Sequence, residues 1–492
     1  MILPSTAQAS DAPPSTAGFL EFQAAHRPDA IALLVNGRRV TFARFHRDLQ
    51  KFTVALAAIG LPRGSLVAIA CDQFYIHWQL LLAWESLGVA TASFGMLESP
   101  KDLSPLLGRS QLVMSTHELP ERVSARYHKL SMDWIEAVFA LDAASLSPSD
   151  REHETGVGMN EPLRVRRSSG TTGGPKMMVV TRNMEEHLVG NQMLNLGLTP
   201  QSRMLIAGHF AVASMYSRAT ACLRLGATCI SENRFGMAQA IVQHRASHVK
   251  LFQFQLSQLL EALGARKPPG LTVILGAAPL SDVLRAKVLR QLASTLVYTY
   301  NSNELGFMAV VGAAGVATLR PDVNAEVVDE RGAPVPEGQS GQARVKSPAM
   351  VDGYLDNPEA TARNFRDGWF YTGDAAIMVG PRRLRIIGRS DDLLNIGGIK
   401  VSPDAIEEDV AGRPGVVDVG VTSITNLDGV DEIGVAVVLA EGADFDEVRK
   451  RIAGRLAKSA GKARIVSTRK IPRTAESGKT QRALLKELFS GK

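Results

Sequence analysis

The stretch that decides the fold is Ser168-Ser169-Gly170-Thr171-Thr172-Gly173-Gly174-Pro175-Lys176. Its nine positions hold three glycines, four hydroxyl residues, one proline and one lysine. Apolar and β-branched residues on both sides predict a loop between two strands. Glycines let backbone N–H groups approach an anion, hydroxyls add neutral donors and lysine adds a point charge. This stretch, called the phosphate loop below, is predicted to hold a polyphosphate; a flexible surface loop is the plainer alternative.

The phosphate loop differs from the common G-x-x-x-x-G-K-[ST] nucleotide loop. Pro175 separates Gly174 from Lys176, and Met177 stands where that loop has Ser or Thr. The residues that would complete a nucleotide site must therefore lie elsewhere in the chain.

Composition limits the class of protein. A chain of 492 residues is too long for one hydrophobic core, and 45% apolar with 21% charged residues is ordinary for a globular enzyme. The net charge of +6 is mild and spread along the chain. It suits small anionic molecules such as nucleotides and gives little support to nucleic-acid binding.

The cysteines and the N-terminus indicate the cellular compartment of the protein. The three cysteines have neither disulfide nor metal-site spacing, which predicts a cytoplasmic protein. No apolar run is long enough to span a membrane. Residues 1–17 lack the basic start and apolar core of a secretory signal, so they are predicted to be a disordered leader.

The order of strands and helices predicts the fold class. Strands and helices alternate up to about residue 320, short strands follow, and a compact α+β unit begins beyond Asp391. The prediction is an α/β fold with a large N-terminal domain of layered α/β subdomains, a small β-rich subdomain and a small α+β C-terminal domain. The predicted divisions are a leader at 1–17, an N-terminal domain at 18–388 and a C-terminal domain at 389–492.

Four further clusters occur in a fixed order after the phosphate loop. They are Tyr300-Asn301-Ser302-Asn303-Glu304, Tyr371-Thr372-Gly373-Asp374, Gly388-Arg389-Ser390-Asp391-Asp392 and Gly478-Lys479. Together with the loop they resemble the adenylate-forming superfamily: acyl-CoA synthetases, the adenylation domains of peptide synthetases and firefly-type luciferases. The resemblance covers nearly the whole chain after residue 18.

The resemblance implies two half-reactions in one site. A carboxylate first attacks the α-phosphate of ATP, which gives an acyl-adenylate and pyrophosphate. A thiol of coenzyme A or of a carrier protein's phosphopantetheine then displaces AMP. ATP, Mg²⁺ and a thiol carrier are the implied cofactors; a small carboxylic acid, and possibly an acyl carrier protein, are the partners.

The resemblance also assigns catalytic and metal-binding roles. Lys479 would stabilise the charge that develops between the carboxylate and the α-phosphate, although a solvated lysine near the chain end is the plainer alternative. Thr171 and Lys176 would hold the departing pyrophosphate, and Glu304 would be the magnesium carboxylate. Asp391 would be the hinge on which the C-terminal domain turns.

The remaining implied residues contact the nucleotide or the thiol arm. Tyr300 would stack on adenine, Asp374 would accept from the ribose hydroxyls, and Arg389 would contact ribose or phosphate. Gly397 and Gly398 would line a pantetheine tunnel. The full implied set is Ser168, Ser169, Gly170, Thr172, Gly173, Gly276, Ala277, Ala278, Tyr300, Asn301, Asn303, Asp374, Arg389, Gly397 and Gly398.

Three departures from the family pattern stand out. Met177 replaces the usual glycine, Asn303 replaces the usual Thr or Ser, and three residues separate Thr474 from Gly478 where two or fewer are usual. We expect altered contacts and no loss of function, because Asn can still donate to a phosphate.

The acid pocket is predicted from the stretch Gly208–Ser214 together with Phe252. Peptide-synthetase modules carry an acidic residue in this stretch to pair an α-ammonium, and here there is none. An aryl or aliphatic carboxylic acid is therefore expected. The pocket residues are His209, Phe210, Ser214 and Phe252, while a structural role in the core is the alternative for each.

Four functions remain open at this stage. The leading one is an AMP-forming carboxylic acid–thiol ligase that uses coenzyme A. The second is an enzyme that loads the acid on a carrier protein. A luciferase-like monooxygenase and an inactive adenylate-binding protein are the other two.

Overall fold

The structure is a computed structural model. It describes residues 14–95, 100–119, 126–142, 158–168, 175–251, 253–264, 266–276, 280, 282–389, 394–396, 399–425, 431–459, 463–474 and 480–489. Within these ranges no helix is long and apolar enough to cross a membrane.

The chain begins with a helix, a hairpin and a longer helix, which is the order that its apolar pattern and the Asn36-Gly37 dipeptide predict. These are α1 (Thr16–His26), β1 (Ile31–Val35), β2 (Arg38–Thr41) and α2 (Phe42–Ala57). The hairpin turns at Asn36 and Gly37, whose φ angles of 48° and 75° suit a tight primed turn.

The predicted leader, residues 1–17, includes the cap and the first two residues of α1. Residues 1–13 lie outside the described ranges, but α1 begins at Thr16, and Thr16 and Ala17 are buried. Ser15 Oγ accepts from the Gly18 N–H at 3.1 Å, which caps the helix, and Arg224 donates to Thr16 Oγ1 at 2.7 Å. The Ser and Thr residues there act as a helix start and a docking contact and not as a disordered tail.

A six-stranded sheet carries the phosphate loop at one edge. Its strand order is β6-β5-β3-β4-β7-β8, and every pair is parallel except β7–β8. Its strands and helices are β3 (Leu66–Ala70), α3 (Phe74–Ser86), β4 (Ala90–Ser93), α4 (Pro100–Arg109), β5 (Leu112–Ser115), β6 (Arg126–Lys129), α5 (Met132–Ala140), β7 (Pro162–Ser168) and β8 (Lys176–Thr181).

A second, larger sheet has a parallel half. Strands β2, β1, β10, β9, β11, β12 and β13 follow one another in space, and all pairs from β1 to β13 are parallel. The elements added here are α6 (Arg182–Asn195), β9 (Arg203–Leu205), α7 (Ala213–Leu225), β10 (Thr228–Ser231), α8 (Met237–Gln243), β11 (His248–Leu251), α9 (Gln253–Leu263), β12 (Thr272–Gly276), α10 (Asp282–Gln291) and β13 (Thr295–Ser302).

The predicted β-rich subdomain continues this sheet and does not form a separate one. Antiparallel pairing runs on from β13 through β14, β15, β20, β19, β17 and β16, so the sheet has fourteen strands in the described chain. The added elements are β14 (Gly306–Val311), a 3₁₀ turn (Ala313–Gly315), β15 (Val316–Leu319), β16 (Asn324–Val328), β17 (Ser340–Lys346), α11 (Pro358–Asn364), β18 (Phe365–Arg366), β19 (Trp369–Gly380) and β20 (Arg383–Arg389). Because β14 pairs with β13, the edge of β13 is covered and the sheet continues into the antiparallel strands.

One prediction in this region was wrong. The turn residues between Phe370–Tyr371 and Ala376–Val379 predict two separate short strands, but the structure has the single strand β19. The pairing of β19 with β20 shifts register between Ala375 and Ala376. The strand therefore has a bulge at the position where the sequence suggests a break.

The C-terminal part has its own sheet and core. Strands β23, β24 and β25 pair in that order, and their buried residues form a cluster with two helices. The elements are β21 (Leu394–Ile396), β22 (Ile399–Val401), α12 (Pro403–Ala411), β23 (Val416–Thr425), β24 (Asp431–Leu439), α13 (Phe445–Ser459), β25 (Ala463–Ser467) and α14 (Arg482–Glu487). These match the predicted elements closely, and the α/β fold class is confirmed.

A buried arginine ties the strand before the phosphate loop to two helices. Arg164 on β7 lies 2.9 Å from Glu85 of α3 and donates to Thr91 Oγ1 at 2.8 Å. Its guanidinium also stacks 3.7 Å from the ring centroid of Tyr216 on α7. Arg164 and Glu85 are both buried, so the pair fixes β7 against α3.

We expect the variant Arg164→Met to lose about 3–5 kcal/mol of stability, because it leaves the Glu85 carboxylate buried without its cation. Urea unfolding would measure the loss. The matched control is Arg63→Met, which removes an exposed partner of Glu161 at 3.0 Å and should cost about 1 kcal/mol or less. Equal losses in the two variants would contradict a structural role for the buried pair.

Candidate active site

The ends of the phosphate loop are held opposite each other. Ser168 and Lys176 are partners in the antiparallel pairing of β7 with β8, so the predicted loop between two strands is confirmed at its flanks. The residues from Ser169 to Gly174, including Gly170, Thr171, Thr172 and Gly173, lie outside the described ranges. Five other sets of predicted residues also lie outside them: Phe252, Ala277 with Ala278, Asp391, Gly397 with Gly398, and Lys479.

A tyrosine joins the phosphate loop to the predicted metal carboxylate. The Nζ atom of Lys176 lies 4.7 Å from the centroid of the Tyr354 ring, and the Tyr354 hydroxyl donates to Glu304 Oε1 at 2.8 Å. Burial and the Glu304 charge raise the pKa of Tyr354, so the phenol stays a donor. Lys176 therefore contacts the ring of Tyr354, and Glu304 contacts its hydroxyl group.

Sequence reasoning missed Tyr354. A single tyrosine in a turn between β17 and α11 carries no spacing that points to a site. The signal is the contact itself, since Tyr354 is 50 residues from Glu304 and becomes its neighbour only through folding. The turn is fixed by the Leu355 N–H, which donates to the Met177 carbonyl at 2.7 Å just after the loop.

The variant Tyr354→Phe tests this contact. It removes the hydrogen bond to Glu304 and keeps the ring against Lys176, and a hydrogen bond to a charged group contributes about 1.5–3 kcal/mol. We therefore expect kcat/KM for MgATP to fall by about 10- to 100-fold, measured by ATP–pyrophosphate exchange at several Mg²⁺ concentrations.

Tyr127→Phe is the matched control for that variant. It removes a phenol hydroxyl that donates to the His117 carbonyl at 2.8 Å on an exposed part of the six-stranded sheet. Its MgATP kinetics should equal those of the wild type. A Tyr354→Phe enzyme with unaltered Mg²⁺ dependence would show that the hydroxyl does not organise the carboxylate.

A second cluster joins Tyr300 on β13 to the paired strands β19 and β20. The Tyr300 hydroxyl donates to Asp374, and Arg389 Nη1 lies 3.2 Å from Asp374 Oδ1. Asp374 and Arg389 are direct partners in the strand pairing, and Arg389 also donates to the Thr372 carbonyl. Three residues predicted from separate motifs are thus in contact.

The electrostatics of this cluster favour a neutral Tyr300. Burial raises the pKa of Tyr300 well above its usual range, and the adjacent Asp374 charge raises it further. The carboxylate is 9% exposed and is held between a phenol and a guanidinium. Gly373, with φ of 74°, leaves room for Arg389, because a Cβ there would meet Arg389 Nη2 at 2.5 Å.

The other described nucleotide residues lie near the same strand. Asn301 is exposed, and its Nδ2 donates to Thr299 Oγ1 at 2.8 Å. Gly276 at the end of β12 pairs with Thr299, and a Cβ there would meet Asn301 Nδ2 at 2.7 Å. Asn303 is exposed, one residue before Glu304.

The predicted pocket residues fall in different environments. His209 is exposed, and Ser214 is half-buried in the first turn of α7. Phe210 is buried, with its ring centroid 4.5 Å from Phe74 and 5.6 Å from Tyr216. Phe210 therefore packs in an aromatic cluster, and the pocket role of all these residues stays a prediction.

The family model for AMP-binding enzymes matches residues 20–355. The chain belongs to this family. The match covers the phosphate loop, Tyr300, Glu304 and Tyr354. The predicted membership of the adenylate-forming superfamily is thereby confirmed.

Relatives and solved structures of this family resemble the chain over most of its length. Feruloyl-CoA synthase from Amycolatopsis sp. is 28% identical over 460 residues, which covers 87% of this chain and 90% of the relative. The 2-succinylbenzoate–CoA ligase of Listeria monocytogenes is 27% identical over 478 residues, with 94% and 97% covered.

Solved structures show the same fold. ATP-bound MatB from Rhodopseudomonas palustris superposes with a TM-score of 0.84 at 22% identity, covering 96% of this chain and 99% of that one. The Bacillus subtilis o-succinylbenzoate CoA synthetase in complex with its acyl-adenylate gives 0.82 at 22% identity, with 95% and 97% covered. Asp374 and Arg389 lie beyond the matched family region, and their contact with Tyr300 is what connects them to it.

Proposed function

We propose that this AMP-binding enzyme is an AMP-forming carboxylic acid–thiol ligase. It activates an aryl or aliphatic acid as the acyl-adenylate and transfers the acyl group to the thiol of coenzyme A. The observation that carries the proposal is the Asp374 carboxylate held between Tyr300 and Arg389 at the edge of the β13 strand that leads to Glu304.

Asp374 binds the ribose in this proposal. A carboxylate can accept from two vicinal hydroxyls, and this one is fixed in position by Arg389 and by the Asp374 N–H, which donates to Thr372 Oγ1 at 3.0 Å. Arg389, which lies 3.2 Å from Asp374 Oδ1, would contact ribose or phosphate oxygens from the same position. Tyr300 provides the aromatic face for the adenine.

Glu304 and Lys176 act on the phosphates. Glu304 is a nearly buried carboxylate oriented by one hydrogen bond, and Mg²⁺ prefers one or two carboxylates with phosphate and water oxygens. Bound Mg²⁺ would neutralise phosphate charge, and Lys176 with the loop donors would orient the leaving pyrophosphate.

The second part of the proposal concerns Lys479, Asp391, Gly397 and Gly398. Lys479 stabilises the transition state in which the acid oxygen bonds to the α-phosphorus and the bond to pyrophosphate breaks. The C-terminal domain, 389–492, then turns at Asp391 and brings Gly397 and Gly398 beside the pantetheine arm. The thiol attacks the acyl carbon, and AMP leaves.

The acid and its acceptor are supported by separate observations. The stretch from Gly208 to Ser214 carries no carboxylate for an α-ammonium, which argues against an α-amino acid. The two relatives named above are CoA-dependent by name, and feruloyl and 2-succinylbenzoate groups both contain an aromatic ring. We therefore propose coenzyme A over a carrier protein, and a cytoplasmic location where both cosubstrates are found.

ATP–pyrophosphate exchange with a panel of acids tests the proposal. Cinnamate, ferulate, 2-succinylbenzoate, hexanoate and adipate cover the expected classes, and glycine and phenylalanine serve as negative controls. Addition of coenzyme A to the best acid should give the thioester and AMP. An enzyme that exchanges pyrophosphate but acylates only a phosphopantetheinylated carrier protein would replace the coenzyme A proposal with the carrier-protein one.

A further inference from the structure

The two ends of the short segment that carries Lys479 are fixed against each other. Arg473 and Thr480 are partners in an isolated antiparallel bridge. Beside this bridge, the Gln481 N–H donates to the Pro472 carbonyl at 2.9 Å. Because Lys479 directly precedes Thr480 in the sequence, the proposed catalytic lysine is one residue from a backbone position that the fold determines.

Arg473 fixes the first end of the segment. Its Nη2 and Nε atoms donate to the two carboxylate oxygens of Asp418 on β23, at 2.6 Å and 3.3 Å. Nη2 also donates to the Val419 carbonyl at 3.0 Å, and Nη1 donates to Thr480 Oγ1 at 3.1 Å. Since two parallel hydrogen bonds to a carboxylate define the orientation of a guanidinium, Arg473 joins β23 to both ends of the segment in one geometry.

Arg482, the first residue of α14, fixes the second end. It donates to Asp404 and, from Nη1 at 2.6 Å, to Glu407 Oε1, and both carboxylates lie on α12. It also donates to the Val421 carbonyl of β23. The Thr480 hydroxyl donates to the other oxygen of Glu407 at 3.5 Å. Thr480 therefore connects the two arginines in one hydrogen-bonded network.

Apolar packing already holds the chain on both sides of the segment. Ile471 before it and Leu485 after it are buried and pack in one cluster with Phe489. The ion pairs are partly exposed, with side-chain exposures of 30% for Arg473 and 17% for Arg482. Partly exposed ion pairs contribute little to stability, whereas hydrogen bonds to a guanidinium define geometry. Their placement at both ends of one short segment indicates a positioning role.

A catalytic lysine needs a defined backbone position. Its ammonium group is a point charge on a flexible stem of four carbons, so its effect on a transition state depends on where the stem begins. A displacement of about 1 Å can lower a rate about 100-fold. The segment is also longer than the family pattern, with three residues between Thr474 and Gly478, and a longer segment has more conformations to restrict.

We propose that Arg473 and Arg482 are positioning residues for Lys479 in acyl-adenylate formation. Through Thr480 and Glu407 they hold the two ends of the segment, so that the lysine stem begins at the place from which its Nζ atom reaches the α-phosphate. This inference deepens the proposed ligase function and rests on it. The contacts of the network join residues of the C-terminal part to one another, so the network stays intact when that part turns.

Separate assays of the two half-reactions test the proposal. Arg473→Met and Arg482→Met should each lower kcat for ATP–pyrophosphate exchange about 10- to 100-fold at an unchanged KM for ATP, because the lysine acts in the transition state. Thioester formation from added acyl-adenylate and coenzyme A does not use Lys479 and should stay within about threefold of the wild type. Arg455→Met, which removes a 3.0 Å ion pair with Asp409, is the control and should change neither rate. Equal losses in the two assays would overturn the positioning role.

A double variant shows whether Arg473 acts through the lysine. Lys479→Ala combined with Arg473→Met should have the exchange rate of Lys479→Ala alone, within about threefold. A further loss beyond about threefold would mean that Arg473 acts independently of the lysine, and would overturn the proposal. Arg473→Lys keeps the charge with fewer hydrogen bonds and should recover part of the rate. If Arg473→Met does not fold, Thr480→Val, which removes the hydroxyl that connects the two arginines, is judged by the same criteria.

Amide hydrogen exchange separates failure of this inference from failure of the ligase function. If no acid supports pyrophosphate exchange in the wild type, the ligase proposal fails. Mass spectrometry of peptides that contain Gln481 is then compared for the wild type, Arg473→Met and Arg455→Met. The Gln481 amide, which donates to the Pro472 carbonyl, should exchange at least about tenfold faster in Arg473→Met alone. Unchanged exchange in Arg473→Met would show that this arginine does not fix the segment.

Discussion

Replacing Lys479 with alanine is expected to lower the rate of acyl-adenylate formation by about 10²–10³-fold or more, because one preorganised electrostatic group commonly contributes that much. The charge that develops on the α-phosphate and on the incoming carboxylate oxygen would lose its cation. The second half-reaction does not use this group in the proposed mechanism. Thioester formation from a synthetic acyl-adenylate should therefore stay within about tenfold of the wild type.

Two assays on one preparation measure these effects. ATP–pyrophosphate exchange reports the first half-reaction, and conversion of added acyl-adenylate and coenzyme A to thioester reports the second. Lys470→Ala, an exposed lysine nine residues earlier, is the matched control and should leave both rates unchanged. Equal losses in the two assays would contradict the proposal that Lys479 acts only in acyl-adenylate formation.

The variant Asp374→Ala should lower kcat/KM for ATP by about 10²–10³-fold, which corresponds to about 3–4 kcal/mol for charge-assisted hydrogen bonds to two hydroxyls. It also leaves Arg389 without its partner at 3.2 Å and Tyr300 without its acceptor. Asp374→Asn keeps the volume and should lose less, because the amide oxygen still accepts one hydrogen bond.

The readout for these variants is ATP kinetics in pyrophosphate exchange together with a melting curve. Asp329→Asn removes a charge from an exposed turn outside the cluster and serves as the control. Its ATP kinetics should match the wild type. A folded Asp374→Ala enzyme with unchanged kinetics for ATP would show that the ribose is bound elsewhere.

Much of the fold followed from local patterns. The Asn36-Gly37 hairpin and the α7 helix that ends at Gly226 came directly from turn chemistry and periodicity, since Gly226 has φ of 76° and terminates the helix as expected. The continuation of the sheet from β13 to β20 did not follow from local patterns. Strand patterns specify which residues are strands, but they do not specify whether a later hairpin pairs with an earlier sheet or starts a new one.

Some residues of the candidate site were likewise predicted from the sequence, and others were not. Tyr300, Glu304, Asp374 and Arg389 were found from motif order, and folding brings Tyr300, Asp374 and Arg389 into contact. Tyr354 was missed. Its role depends on its contacts with Lys176 and Glu304, and a single tyrosine in a turn reveals neither contact in the sequence alone.

The single fourteen-stranded sheet has a consequence for engineering. The predicted pocket residues His209, Phe210 and Ser214 lie just before and at the start of α7. The residues proposed to bind the ribose lie on β19 and β20, which strand pairing through β15 and β14 connects to β13. We therefore expect substitutions at the start of α7 to change the preference for the acid and to leave the kinetics for ATP unchanged.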